Sequence, residues 1–374
     1  MLQIDRRVFT HFDYLLPLII TPIIAISFYL ILEVNPTLAT KQVVYFSIGF
    51  IIFFLFFLIP WRKIFWVIPF FYWINIALLV SVQFFGVSKL GAKRWIEIPF
   101  THFMIQPSEI MKPALILMIA YLIKTSPPDP KKGYNLAQFL KFSIYIIIPF
   151  VLILKQPDLG TALILLMIGF GVLFIIGINY KIWVPIVVSI LLIIPFIYNN
   201  LLHDYQKKRI NDFLGEKPSY HVQQSIIAIG SGGVSGKDKE EATQTHLKFL
   251  PIAVSDFIFA FYVERFGFIG ALVLLVLYLL LILHLFILGL DLKGDYFAQV
   301  VAFSLALMFF IYVSVNIAMT IGLAPVVGVP LPLFSYGGSS FVTFMILIGI
   351  LENLVTFRYD QFYNSLKITG LFKK

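Results

Sequence analysis

Ten stretches of roughly 20 mostly apolar residues divide this 374-residue chain, at about 13–32, 42–60, 64–85, 107–123, 139–154, 159–178, 182–198, 257–288, 296–322 and 340–357. Hydrocarbon offers backbone amides and carbonyls no partner, so each such stretch must close its own hydrogen bonds as a helix. The expected fold class is therefore an all-α polytopic membrane protein with ten transmembrane helices. Apolar residues make up 60% of the chain and charged residues 13%, a balance no soluble domain of this length sustains. No small-residue cleavage site follows the first stretch, which reads as a permanent span rather than a removable signal.

An even number of spans puts both termini on one side. If that side is the cytoplasm, its segments carry Arg6, Arg7, Arg62, Lys63, Lys124, Lys131, Lys132, Lys181, Lys293, Arg358, Lys367, Lys373 and Lys374. The short loops opposite carry Lys41, Lys89, Lys93, Arg94 and Lys155. The rule that short basic loops stay inside thus favours cytoplasmic termini. Residues 1–374 read as a single transmembrane domain. The segment 199–255, between spans seven and eight, forms one long extracytoplasmic loop within it, and loops of that length generally have a task. Inside it, "HVQQSIIAIGSGG" (221–233) reads as a short amphipathic helix along the interface, ending in flexible glycines.

Charges within spans are costly and point to function. At the span ends and interiors stand Glu109, Lys112, Lys155, Asp158, Asp256, Glu264, Arg265, His284 and Glu352. With the termini inside, Glu109, Lys112, Lys155, Asp158 and Asp256 come from separate segments to one outer level, which suits a site facing the outer leaflet. Each also has a structural reading. Glu109 and Lys112 are three apart on a helix and can neutralise each other. Asp158 and Asp256 both stand where a helix-capping residue would. Glu264 and Arg265 are adjacent, so each needs a partner on another helix, while His284 and Glu352 fall in the cytoplasmic half.

Several classes are excluded. The net charge of +9 is dispersed through short loops with no long basic run, which suits lipid headgroups and phosphate-bearing substrates rather than nucleic acid. The absence of cysteine removes disulfides and thiolate chemistry. No metal-ligand spacing, serine nucleophile elbow or phosphate-binding glycine loop is present. A divalent cation remains compatible with the residues, and no other cofactor is implied.

Five motifs in order resemble the SEDS family of bacterial cell-wall proteins, whose members include RodA and FtsW. They are "GAKRWIEIPFTHFMIQPSEIMK" (91–112), "KQPDLGTA" (155–162), "QQSIIAIGSGGVSGK" (223–237), "FLPIAVSDFIFAFYVERFGFIG" (249–270) and "GLAPVVGVPLPLFSYGGSS" (322–340). The short tails are more like RodA, the elongation member. The resemblance implies a peptidoglycan glycosyltransferase that polymerises lipid II at the outer face of the cytoplasmic membrane. It also implies a class B penicillin-binding protein as transpeptidase partner. The family's essential aspartate falls on Asp256, its Glu and Lys on Glu109 and Lys112, and its "QPDLGT" aspartate on Asp158. The chain departs from the family at "GKDKEEATQ" (236–244), at Ile252 after "FLP", and at "VERFG" with Arg265.

The implied reaction needs a base to activate a sugar hydroxyl, and Asp256 is the expected general base. A leaving pyrophosphate needs cations, for which Lys112 is the matched candidate and Lys93, Arg94 and Lys155 are rim alternatives. Gln223, Ser339 and Ser340 lie in matched motifs and are expected to touch sugar or phosphate. The "SGGVSGK" segment is expected to move beside Asp256 and gate a lateral opening. A lipid flippase would instead hold its charges near the midplane. In a non-enzymatic scaffold, Asp256 would be an ordinary helix cap.

Overall fold

The structure is a computed structural model; residues 11–89, 92–97, 104–129, 133–179, 181–185, 188, 192, 198, 204–215, 219–240, 242 and 255–358 are described. Its long helices are α1 (Leu15–Val34), α2 (Pro36–Leu58), α3 (Trp61–Phe85), α4 (Pro107–Thr125), α5 (Leu136–Leu154) and α6 (Leu159–Ile176), followed later by α9 to α11. The connection after α6 contributes the shorter α7 (Asp204–Leu214) and α8 (Tyr220–Ser231). The last three are α9 (Ile258–Asp291), α10 (Tyr296–Thr320) and α11 (Gly338–Thr356).

Among the described residues, eight helices are long and apolar enough to cross a membrane: α1, α2, α3, α5, α6, α9, α10 and α11. Helix α4, the fourth expected span, is as long as α5 but carries Glu109, Lys112 and Lys124. It forms the central column, with every residue from Met111 to Ala120 buried and α3, α5, α6, α10 and α11 packed around it. A helix buried on all sides has no lipid face to keep apolar, so its charges can face protein partners. The seventh expected span, 182–198, lies largely outside the described residues.

Helix boundaries follow local chemistry. Asn35 caps α2 through Thr37 N at 2.9 Å, with Pro36 at the first helical position. Asn135 and Gln138 form a reciprocal capping box on α5, satisfying two otherwise orphaned amides. Asp295 caps α10 through Ala298 N. At the same end of the bundle Arg62 pairs with Asp295 at 2.8 Å. Its guanidinium also donates to the carbonyls of Leu354, Phe357 and Arg358, closing the C-terminus of α11. His284 and Glu352 meet there too: His284 Nε2 lies 2.5 Å from Asp13 Oδ2, and Glu352 Oε1 accepts from Asp13 N at 2.7 Å.

The all-α expectation misses one feature. Strands β1 (Val87–Lys89), β2 (Ala92–Glu97) and β3 (Met104–Ile105) form a small antiparallel sheet in the order β1-β2-β3 at the opposite end of the bundle. Strands β1 and β3 are too short for a two-residue period to register, and β2, reading AKRWIE, does not alternate apolar with polar residues.

Helix α9 is broken at Gly267 (φ 65°, ψ −163°), a conformation open essentially to glycine alone. The segment after α8 fills the break. Phe268 N and Ile269 N donate to Gly233 O and Val234 O at 2.9 and 3.1 Å, and Lys237 N donates to Glu264 O at 3.0 Å. The Phe268 and Ile269 amides and the Glu264 carbonyl at the kink thus have backbone partners, as an apolar setting favours. A Cβ at Gly267 would lie 2.3 Å from Gly236 N and 2.4 Å from Val234 O. Gly267→Ala is therefore expected to cost on the order of 3 kcal/mol and to release the 232–237 segment. Thermal melts and proteolysis in detergent check this, and an unshifted melt with unchanged cleavage would show that the break tolerates a side chain.

Candidate active site

A cavity of about 740 Å³ at one end of the bundle is bounded by the starts of α4, α6 and α11, by α7, by the α10–α11 connection and by Asp256 just ahead of α9. Chain segments far apart in sequence meet here because the motif-bearing connections all sit at one end of the bundle.

Asp256 is held by its backbone. Its carbonyl accepts from Asn316 Nδ2 at 2.9 Å, and the same amide donates to Val329 O at 2.7 Å, tying α10 to both neighbouring segments. Ser335 Oγ donates to Ser255 O at 2.5 Å and accepts from Leu331 N at 2.7 Å. Helix α9 starts without a side-chain cap on its N-cap residue, Phe257. The Asp256 carboxyl is not spent as the capping reading requires; it faces the cavity and is hydrogen-bonded with Ser255. Burial pushes its pKa above the ordinary carboxylate value, while the Ser255 hydrogen bond and the charge of Arg209 pull it back down.

The opposite wall is a clamp. Asp158 caps α6 through Thr161 N at 3.5 Å, accepts from Gln106 Nε2 at 3.2 Å and pairs with Arg94 Nη1 at 3.5 Å. Arg94, on β2, also donates to the carbonyls of Gln156 and Pro157. Arg94 and Asp158 line the cavity, but much of their charge is committed to holding the 156–158 turn. Both readings of Asp158, cap and site wall, therefore apply.

Glu109 and Tyr312 line the cavity between these walls. Behind them lies Lys112, 2% exposed, whose Nζ is 2.6 Å from Glu109 Oε1 and donates to the Tyr312 hydroxyl. Glu109 Oε2 also accepts from Thr343 Oγ1 at 3.3 Å. The self-neutralising pair expected from the three-residue spacing is present, and it joins α4 to α10 and α11. Lys112 stands behind the wall and shapes the site through Glu109 and Tyr312.

Ser339 and Ser340 line the cavity. Besides Lys112, three expected residues do not. Lys93 Nζ donates to Gln83 O and Phe84 O at 2.8 and 3.3 Å, closing the C-terminus of α3, where a cation meets the negative end of the helix. Lys155 is exposed and outside the lining. Gln223 is exposed on α8, which buries Val222, Ser225 and Ala228 against the bundle instead, with Ser225 Oγ donating to Thr320 O at 2.7 Å. Helix α8 thus packs on α9 and α10. The "SGGVSGK" segment lies outside the cavity lining and is bonded to the α9 break, where Gly232 and Gly236 approach the α9 backbone closely.

Arg265 finds its partner on α1, pairing with both carboxylate oxygens of Glu33 and donating to Lys237 O. Glu264 is fully buried. Ile252 lies outside the described residues. Among the described residues, no group of three or more His, Asp or Glu side chains is arranged to hold a metal ion. The sequence reading passed over Gln106, Tyr312 and Arg209 as site residues. For Arg209 the available signal was the amphipathic pattern of "DYQKKRINDFL", with Arg209, Ile210 and Phe213 at helical spacing.

A profile for the cell cycle protein family of FtsW, RodA and SpoVE matches residues 3–360. The peptidoglycan glycosyltransferase MrdB of Helicobacter pylori is 56% identical over 371 residues, 99% of this chain and 97% of its own. A chain from a solved peptidoglycan synthase complex, described as coordinating polymerization and crosslinking, aligns with a TM-score of 0.80 at 26% identity, covering 93% of this chain and 98% of its own. The rod shape determining protein RodA of Thermus thermophilus aligns with a TM-score of 0.70 at 26% identity over the same shares.

Proposed function

Because the chain belongs to the FtsW, RodA and SpoVE family of cell cycle proteins, we propose that it is a peptidoglycan glycosyltransferase that polymerises lipid II for cell elongation and shape, with Asp256 as general base. The observation carrying this reading is the Asp256 carboxyl. It is fixed by its backbone, not used as a helix cap, and turned toward a cavity of about 740 Å³ at one end of the bundle.

In the reaction the 4-hydroxyl oxygen of one lipid-linked sugar attacks the anomeric carbon of another. The bond from that carbon to the pyrophosphate oxygen breaks, its electron pair leaves with the polyprenyl pyrophosphate, and the hydroxyl proton passes to Asp256. A base whose proton affinity is raised by burial lies closer to the working pH. As positive charge builds on the sugar ring, the same carboxylate stabilises it. Glu109, Asp158, Ser339 and Ser340 supply hydrogen-bonding walls for the sugars.

The cavity end is assigned to the outer face of the cytoplasmic membrane, with ten spans, both termini inside and the 199–255 loop extracytoplasmic. Short basic loops at the opposite end support that orientation. A class B penicillin-binding protein is the proposed partner, supported by the resemblance to a chain from a synthase complex that couples polymerization to crosslinking. The test is purified protein supplied with lipid II, with and without that partner. Glycan strands that depend on Asp256 are the expected product. Strands formed equally well by an Asp256→Asn variant would reject the base, and no strands from the wild-type chain with its partner would reject the enzyme.

A further inference from the structure

A leaving pyrophosphate must meet positive charge, and of the four cations singled out from sequence Arg94 alone lines the cavity. Lys93 is bonded to the last carbonyls of α3, Lys112 is sealed behind Glu109 and Tyr312, and Lys155 lies outside the cavity lining. Arg94 reaches the lining but clamps Gln156, Pro157 and Asp158. Among the described residues, the other cation in that lining is Arg209, on α7.

Arg209 has an exposed side chain and stands where two spaces meet. It lines the main cavity together with Asp256, and also a smaller cleft formed by Asp212, Phe213, Ser219, Val222 and the 322–326 segment. Its charge acts on the Asp256 carboxyl. Helix α7 is polar on average, and it places this guanidinium over the cavity from the long connection after α6.

Resting on the glycosyltransferase reading, we propose that Arg209 is a substrate-binding residue that grips the pyrophosphate of the polyprenyl-linked donor beside Asp256. A guanidinium presents a planar fork of donors matched to phosphate oxygens, and it keeps its charge at any working pH. Held there, it neutralises the charge that gathers on the pyrophosphate oxygen as the bond to the anomeric carbon breaks, while Asp256 takes the hydroxyl proton. Base and leaving-group site thus share one cavity but come from different segments, α7 and the approach to α9. This also gives the long connection a task.

The test compares full-length Arg209→Gln and Arg209→Lys with the wild type in lipid II polymerisation, with inorganic pyrophosphate as competing probe. Loss of a charge-assisted fork is expected to raise KM for lipid II by about 10- to 100-fold in Arg209→Gln. Pyrophosphate inhibition should weaken by a similar factor, and Arg209→Lys should recover part of both. A structural role for Arg209 would lower the amount of active protein without moving KM or the inhibition constant. Wild-type KM and wild-type pyrophosphate inhibition in Arg209→Gln overturn the proposal, provided that Asp256→Asn remains inactive in the same assay. Should Arg209→Gln fail to fold, an Arg209→Lys variant with both constants unchanged overturns it, as does a polymerising wild type that pyrophosphate does not inhibit. A wild-type chain that makes no polymer at all defeats the glycosyltransferase reading instead.

Discussion

Replacing Asp256 with asparagine is expected to lower lipid II polymerisation by about 100- to 10,000-fold, while the protein stays folded. Asparagine keeps the size of the side chain and leaves the Asn316 bond to the residue's carbonyl untouched, but it cannot accept a proton at neutral pH. Wild-type kcat/KM should fall as pH is lowered, because protonation removes the base. The acid limb should lie above the ordinary aspartate value of about 4, since burial raises the pKa of this carboxyl. Stability should move the other way. A folded-state pKa above the unfolded one means that folding favours the protonated form, so stability is highest at acid pH and declines as pH rises through the folded pKa. Asparagine is spared that cost, and Asp256→Asn should melt no lower than wild type at neutral pH. A pH–rate profile with a limb at the ordinary carboxylate value, or a variant that melts well below wild type, would indicate that the carboxyl is an exposed or purely structural group.

Lys112→Met is the second large effect. It is expected to destabilise the protein by up to about 3 kcal/mol, the low end for breaking a buried pair, because it leaves Glu109 at the cavity wall without its cation. Removing both charges should be far milder. In a double-mutant cycle, Glu109→Gln combined with Lys112→Met should recover most of the loss, since two matched apolar or neutral groups avoid the unpaired charge. Melting temperatures in one detergent measure all four corners. Activity should track stability in the single variant, because Glu109 and Tyr312 form the cavity wall in front of Lys112. A stable Lys112→Met protein with lost pyrophosphate affinity would instead return the lysine to the role expected from its motif.

These predictions differ in how far the sequence alone could carry them. Apolar stretches of roughly 20 residues announce the helices, since the backbone in lipid has no alternative to helical self-bonding. The same economy makes charge conspicuous, which is why Glu109, Lys112, Asp158 and Asp256 stood out and why their gathering at one end of the bundle was legible. The helix starts after Asn35 and Asn135 follow capping chemistry, whereas the apolar pattern placed those spans later, at about 42 and 139. The small sheet was not legible, because two of its strands have only two or three residues and the six-residue β2, AKRWIE, does not alternate. Nor was the break at Gly267 legible, since its backbone partners are supplied by a distant segment.

By itself, then, the sequence determined the membrane class, the helical content, the family and the aspartate proposed as general base. The tertiary structure alone decided which charges face the cavity: Lys112 sealed inside, Arg94 clamping a turn, Lys93 closing a helix, Arg209 brought over the site from a distant loop. The reason is physical. Ion pairs form over a few ångströms between side chains on different elements, so their partners depend on how each helix is rotated and how deep it sits. Helices apolar around most of their circumference, as α6 and α9 are, carry almost no sequence signal of that rotation.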